Sequence, residues 1–432
     1  MEKKNALRAT LAAAAMLTNT AWATDGYFPH GYGMKALGMG GASVAMTDNA
    51  FAGANNPASA AFAGNRYELG ASLFMPKRGA TRSGATGNFA GMNGEAESGS
   101  SSFVVPEFGY NRQISSSMAV GLTVYGNGGM NTDYPATGFN CGPGATNMLC
   151  GSSKLGVNLM QLIVAPTLAY KLSESSAIGI APLLVYQQFK ATGLQAFAGN
   201  PNWTGPQPNN YAPNTTDNGN DSSTGLGVRL GYSASLNDAV RVGASYSPKT
   251  NMSKFKKYSQ LFAEGGDFDI PENYAAGVAV QATPALTIAA DYQRINYSKV
   301  KAIGNSMTQG GPLGAVNGPG FGWSDVDVVK LGVEWKYSGS TVLRAGYNHA
   351  TNPVKAANVT FNIIAPGVIT KHYTVGATTT LDNKAELTLA YMYAPKSTVT
   401  GESMLAIMNQ TSFQETIRMS QQSLGIQYGW KF

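Results

Sequence analysis

The last ten residues of the chain separate into two faces. Leu424, Ile426, Tyr428, Trp430 and Phe432 fall on one, and Ser423, Gly425, Gln427, Gly429 and Lys431 on the other. Side chains alternate across a strand, so this period of two predicts a strand with oil on one side and water on the other. A membrane barrel closes its sheet with its last strand, and a terminal aromatic on the apolar face suits that place.

The other end agrees. Lys3, Lys4 and Arg8 precede the apolar run Leu11 to Leu17, and Ala21-Trp22-Ala23 offers a small-residue cleavage site. This predicts a secretory signal peptide over residues 1–23 and a mature chain from Thr24. No other stretch approaches the roughly 20 apolar residues that a membrane helix requires. Only helices and closed barrels satisfy the backbone in lipid, so a membrane reading must be a barrel. Charged residues make up 12% of the chain, about half the usual ~25%, while 43% are hydrophobic. That balance fits alternating strands and excludes a disordered chain. The formal charge of +6 falls to +4 once Lys3, Lys4, Arg8 and Glu2 are removed. Its densest cluster is Lys254, Lys256 and Lys257, which is too thin for a nucleic-acid surface.

From Arg66 onward one unit recurs: alternating strand, tight polar turn, alternating strand, long Gly/Asn/Pro-rich loop. Val329, Leu331, Val333, Trp335 and Tyr337 oppose Lys330, Gly332, Glu334 and Lys336. Leu387, Leu389, Tyr391 and Tyr393 oppose Glu386, Thr388 and Met392. Tight turns are expected at 115–117, 173–175, 236–238, 283–285, 338–340 and 381–383. Counting the strands between them gives an all-β fold, a 14-stranded antiparallel transmembrane β-barrel over residues 65–432. Residues 24–64 break the pattern. They are too apolar for a solvated tail and too Gly-rich for a strand. A barrel of this width leaves an interior to fill, so this segment is expected to be a plug inside the lumen.

Chemistry-bearing motifs are scarce. The sequence has no G-x-S-x-G elbow and no Walker loop. Gly31-x-Gly33-x-x-Ala36 lacks the βαβ setting of a dinucleotide fingerprint. Three scattered histidines, His30, His349 and His372, specify neither a triad nor a metal site. The expectation is no enzyme and no cofactor. Cys141 and Cys150 form an isolated close pair in a Gly/Pro-rich segment of an exported chain, which reads as a disulfide stapling a loop.

The chain resembles the FadL/TodX (OmpP1) type of outer-membrane transporters of long-chain fatty acids and other hydrophobic compounds. The stretches that carry this are Gly31-Tyr32-Gly33 through Gly38-Met39-Gly40-Gly41-Ala42, Asp48-Asn49-Ala50, and Asn56-Pro57-Ala58. Val105-Pro106-Glu107-Phe108-Gly109-Tyr110, Ile270-Pro271-Glu272-Asn273-Tyr274 and Trp323-Ser324-Asp325 follow in order. The resemblance implies a monomeric barrel with an N-terminal hatch that carries the Asn56-Pro57-Ala58 motif. It further implies ligand capture at the outer loops, transfer to an interior apolar pocket, hatch rearrangement, and lateral exit at a kink in the third strand. That kink is expected at Gly126, Gly128 and Gly129, since glycines interrupt a strand where it bends or where backbone approaches closely.

Ligand-binding residues are expected among loop aromatics: Phe197, Trp203, Tyr211, Phe255, Leu261, Phe262 and Phe268. Exposed apolar groups on loops mark binding surface. Lys190, or Lys254 with Lys256 and Lys257, is placed to meet a carboxylate or lipopolysaccharide phosphate. The loop closed by Cys141 and Cys150 departs from the better-known fatty-acid members where ligand would enter. Fatty acids are therefore the first expectation, with aromatic hydrocarbons or alkanes as the alternative. A general porin and a surface adhesin are the rivals of another class. The expected setting is the outer membrane of a Gram-negative bacterium, in contact with its lipid and lipopolysaccharide.

Overall fold

Every period-two run forms a strand. The computed structural model describes residues 25–142, 144–198 and 212–432. The expected signal peptide, residues 1–23, lies outside them. The strands are β1 (Arg66–Ser83), β2 (Gly94–Glu97), β3 (Phe103–Gln113), β4 (Met118–Asn131), β5 (Gly156–Lys171), β6 (Ser176–Thr192), β7 (Asp221–Ser235) and β8 (Val240–Ser247). Then come β9 (Asn273–Thr283), β10 (Leu286–Ile295), β11 (Val326–Lys336), β12 (Thr341–Ala350), β13 (Lys371–Thr380), β14 (Glu386–Glu402) and β15 (Gln414–Lys431).

Neighbours in sequence pair antiparallel throughout, and β15 pairs back onto β1 from Arg66↔Lys431 to Ser83↔Gln414. The sheet is therefore a closed barrel. β2 is a flap on the upper part of β1, where Gly79–Arg82 pairs with Gly94–Glu97. The wall itself has fourteen strands, β1 and β3 to β15. All six expected tight turns lie at one end, and the long connections lie at the other.

Alternation fixes the register. On β11, Val329, Leu331, Val333 and Trp335 are exposed on the outside, while Lys330, Gly332 and Glu334 are buried inside. A one-residue slip would turn Lys330 and Glu334 into lipid. Cross-strand chemistry holds the choice: Glu334 stands opposite Arg344 on β12, and their side chains form an ion pair at 2.7 Å. On β15, Leu424 and Ile426 face out while Ser423 and Gln427 face in. Tyr67 stacks on Trp430 at 4.7 Å, and Tyr428 lies against the same indole at 4.2 Å. This aromatic cluster sits at the turn end, where a ring with an apolar body suits the membrane boundary.

Residues 25–64 run through the lumen and are almost wholly buried. A helical turn, Met34–Gly38, packs on β12, β13 and β14, and a tighter turn, Pro57–Ala61, packs on β4 to β7.

Candidate functional site

Aromatic side chains from the long loops and the lumen form one continuous column. Phe189, on the inner face of β6, packs against Phe262 at 4.7 Å and Tyr258 at 4.8 Å. Phe262 meets Phe268 at 4.8 Å, and Phe268 meets Tyr27 of the N-terminal segment at 6.2 Å. Tyr27 packs in turn on Tyr297 and Trp323, at 5.2 and 6.1 Å. The top of this column lines a cavity with an empty volume of about 520 Å³. Phe189, Phe197, Leu261, Phe262, Phe321 and Phe361 contribute to its wall. Every described lining residue is apolar.

Phe197, Leu261 and Phe262 thus lie together on the wall. Phe255 is fully buried behind Phe262, with ring centres 6.1 Å apart. Lys254 is exposed and donates to the backbone oxygen of Glu264 at 2.5 Å. Lys190 is exposed on the outer face of β6, off the cavity wall. Trp203 and Tyr211 lie outside the described residues. Cys141 and Cys150 are disulfide-bonded. The loop they close carries Leu149 to the cavity wall. Sequence reasoning missed Phe189, Phe321 and Phe361. Phe189 had a signal: Leu183, Val185 and Phe189 make the inner face of β6 apolar as well, so that strand is greasy on both sides.

Below the cavity the wall is interrupted. The β3–β4 ladder ends at Phe108↔Val124. Beyond it, Phe103–Glu107 pairs only with β1, and Tyr125–Asn131 pairs only with β5. At the same step the β4–β5 register shifts between Gly126 and Gly128, so Asn127 is the extra residue of a bulge. Asn127 and Gly128 to Asn131 are all buried. Gly128 has a φ of +151°, and an added methyl there would lie 2.1 Å from the Tyr27 carbonyl oxygen. Only glycine permits that approach.

The N-terminal segment stands directly behind this opening. Tyr32 Oη donates to Asn127 Oδ1 at 3.1 Å, and its ring lies edge-on to Tyr125 at 4.5 Å. The Gly33 amide donates to Glu107 Oε2 at 3.0 Å. Further along, Asn56 Nδ2 donates to the carbonyls of Val44 and Tyr232, at 2.8 and 2.9 Å. Its Oδ1 accepts from the Ala58 amide at 3.1 Å, capping the Pro57–Ala61 turn. This turn lies so close to β7 that a methyl on Gly231 would sit 2.2 Å from Asn56 Oδ1. Nearer the tight-turn end, Lys35 Nζ pairs with Glu386 at 2.8 Å and lies 3.7 Å from Glu68.

Charges on the segment are strongly conditioned by burial. Burial pushes the Asp25 carboxyl up to about 6, against the pull of Lys330 and a hydrogen bond from Asn348. Burial lowers His30 to about 3, helped by the nearby Lys330, so its imidazole is neutral. Burial also opposes ionisation of Asp48, yet Lys35, Arg344 and Arg66 outweigh it and hold that carboxyl near 2.

A family model described as outer membrane protein transport protein (OMPP1/FadL/TodX) matches residues 14–432. The toluene transporter TodX of P. putida superposes with a TM-score of 0.66 at 20% identity, covering 93% of this chain and 99% of its own. A Pseudomonas aeruginosa FadL homologue gives 0.68 at 14% identity, covering 94% and 100%. The Ralstonia pickettii toluene transporter TbuX gives 0.63 at 18%, covering 93% and 99%. At these identities the likeness establishes the barrel fold. Among curated proteins, no sequence matches the chain.

Proposed function

The chain belongs to the outer membrane protein transport family OMPP1/FadL/TodX, and on that premise we propose that it admits an uncharged hydrocarbon by capture, descent and sideways release. The family places it in the Gram-negative outer membrane as a transporter of hydrophobic compounds. The finer steps are our reading. Ligand is captured in the apolar cavity under the long loops. It passes down the aromatic column toward Tyr27. Residues 24–64 act as a hatch that shifts, and ligand leaves through the β3–β4 opening into lipid. The barrel works as a monomer, without a cofactor.

The observation that carries this reading is the conjunction of an all-apolar cavity with a wall opening backed by the N-terminal segment. An apolar solute gains little from a water-filled pore. A dry cavity contributes about 0.8 kcal/mol per buried CH₂. A site that holds ligand so well needs a moving part to release it, and a displaceable segment supplies one. The lining also bears on substrate. A carboxylate entering this cavity would lose its hydration with no cation among the described lining residues to meet it. An uncharged aromatic or aliphatic hydrocarbon carries no such penalty, and this favours it over the fatty acid.

The test is uptake by cells that lack other routes, comparing toluene, hexadecane and oleate, alongside swelling of proteoliposomes in sugars. Hydrocarbon uptake with negligible sugar permeation is expected. Rapid sugar-driven swelling would instead establish an open porin.

A further inference from the structure

Three buried amides tie the ligand loop to the wall opening. Asn127 Nδ2 donates to Gln161 Oε1 at 2.9 Å. Gln161 Nε2 donates to Gln187 Oε1 at 3.0 Å. Gln187 Nε2 donates to the Phe268 carbonyl at 2.8 Å. At the other end Tyr32 Oη donates into Asn127 Oδ1. The chain runs from the N-terminal segment, through the bulged residue of β4, across β5 and β6, and into the loop that carries Phe262 and Phe268. Every donor points the same way, so each bond polarises the next. Asn127 and Gln161 are 1% exposed and Gln187 is fully buried.

Barrel stability alone does not call for this arrangement. Around it the lumen is lined by apolar groups, including Leu159, Ile163, Val185 and Phe189. Burying three amides there is costly unless each is satisfied, and a partly broken row is worse than an apolar one. Breaking the row leaves buried amide groups short of partners, with Ser223 Oγ, 3.5 Å from Gln187 Nε2, the one alternative acceptor beside it among the described residues. Its two ends lie where the transport reading needs coordination. Phe268, whose carbonyl ends the row, packs its ring on Phe262 of the cavity wall. Asn127 is the extra residue at which the β4–β5 register shifts, just beyond the last β3–β4 pair.

We infer that Asn127, Gln161 and Gln187 are positioning residues that couple cavity occupancy to the wall opening. This rests on the transport reading above. Ligand pressing on Phe262 and Phe268 shifts the Phe268 carbonyl. The row then breaks or re-forms as a unit, and Asn127 releases Tyr32 of the hatch. The three residues touch no ligand themselves, so they govern passage and not capture.

The test separates those two quantities. Gln161→Met and Gln187→Met keep length and remove the amide. Toluene binding to the purified barrel and toluene uptake by cells are both measured. Coupling energies between sites typically correspond to about 5- to 150-fold. Each variant is expected to slow saturated uptake by at least about fivefold while binding stays within about twofold. The double variant is expected to be no slower than the worse single one, because the residues act in one row. Gln421→Met, another buried amide away from the row, should leave uptake unchanged. Assembly is checked by heat-dependent gel migration. If Gln187→Met fails to assemble, Gln161→Met, read against Gln421→Met, carries the test. Unchanged uptake in the single variants, parallel loss of binding and uptake, or multiplying effects in the double variant would each overturn the coupling. A wild-type barrel that takes up none of toluene, hexadecane or oleate would overturn the transport reading itself, a result distinguishable from the others.

Discussion

The carbonyl oxygen of Tyr27 lies where a side chain on Gly128 would have to be, 2.1 Å from the position of a Cβ. The N-terminal segment and the bulged strand are thus in contact through bare backbone at the wall opening, and the packing there has no slack.

Gly128→Ala should push the Tyr27 backbone away from β4. The expected cost to docking of the segment is about 1–3 kcal/mol, from the clash and from the left-handed φ together. Hydrogen exchange of residues 25–33 is expected to accelerate, with the barrel strands unaffected. Gly339→Ala, in a tight turn with nothing within 4 Å, should leave exchange unchanged.

Asn56→Ala removes three hydrogen bonds and strands the buried carbonyl of Val44. Leaving a buried acceptor unpaired and losing the cap of the Pro57–Ala61 turn should weaken docking of the N-terminal segment by about 2–3 kcal/mol. Proteoliposomes carrying this variant should swell in sugars faster than the wild type, since the lumen is no longer filled. Equal swelling would mean that Asn56 does not hold the segment in place.

Cys141→Ser with Cys150→Ser frees the loop that carries Leu149. Closing a loop of this size contributes roughly 2–3 kcal/mol to local order. Toluene binding should weaken about three- to tenfold as one apolar wall of the cavity loosens. The unfolding midpoint of the barrel should not move, because the strands gain nothing from this bond.

Asp25 sets a pH dependence. Its folded value of about 6 lies above the ordinary 3.8, so the folded state keeps a proton that the unfolded chain has lost. Stability is therefore greatest at and below about pH 4 on this account and declines as pH rises through 6. The full effect is about 2–3 kcal/mol. Asp25→Asn should flatten the stability of the N-terminal segment across that window. Asp48 acts oppositely: held near 2, it contributes stability above about 4 that is lost as pH falls toward 2.

The wall was legible in the sequence because each strand is half in lipid and half in the lumen. Val329 against Lys330, and Leu424 against Ser423, state their faces outright. The turns were legible for the same reason, since alternation stops where the backbone leaves the sheet. The cavity was read less completely. Phe197, Leu261 and Phe262 stood out as loop aromatics, but Phe189 was hidden in a strand whose inner face is as apolar as its outer one. Lys190 was assigned by proximity to the rim, and alternation on β6 turns it outward. The hydrogen-bonded row could not be read at all. Asn127, Gln161 and Gln187 lie on three strands, and only the register of the closed barrel, with its one-residue shift at Asn127, brings their side chains into line.

The most direct test of sideways release is photolabelling with an alkylbenzene bearing a diazirine, in cells expressing the full chain, with adducts mapped by mass spectrometry. Two routes out of the cavity leave different marks. Lateral exit predicts adducts on Phe262 and Phe321 at the cavity, then on Glu107 and the Tyr125–Asn131 stretch at the opening. Axial passage would instead label Met46, Thr47 and Arg241, which line a separate cavity at the tight-turn end. Adducts at the opening with none at that lower cavity are the predicted result. Labelling of Met46 and Thr47 without labelling at the opening would contradict it.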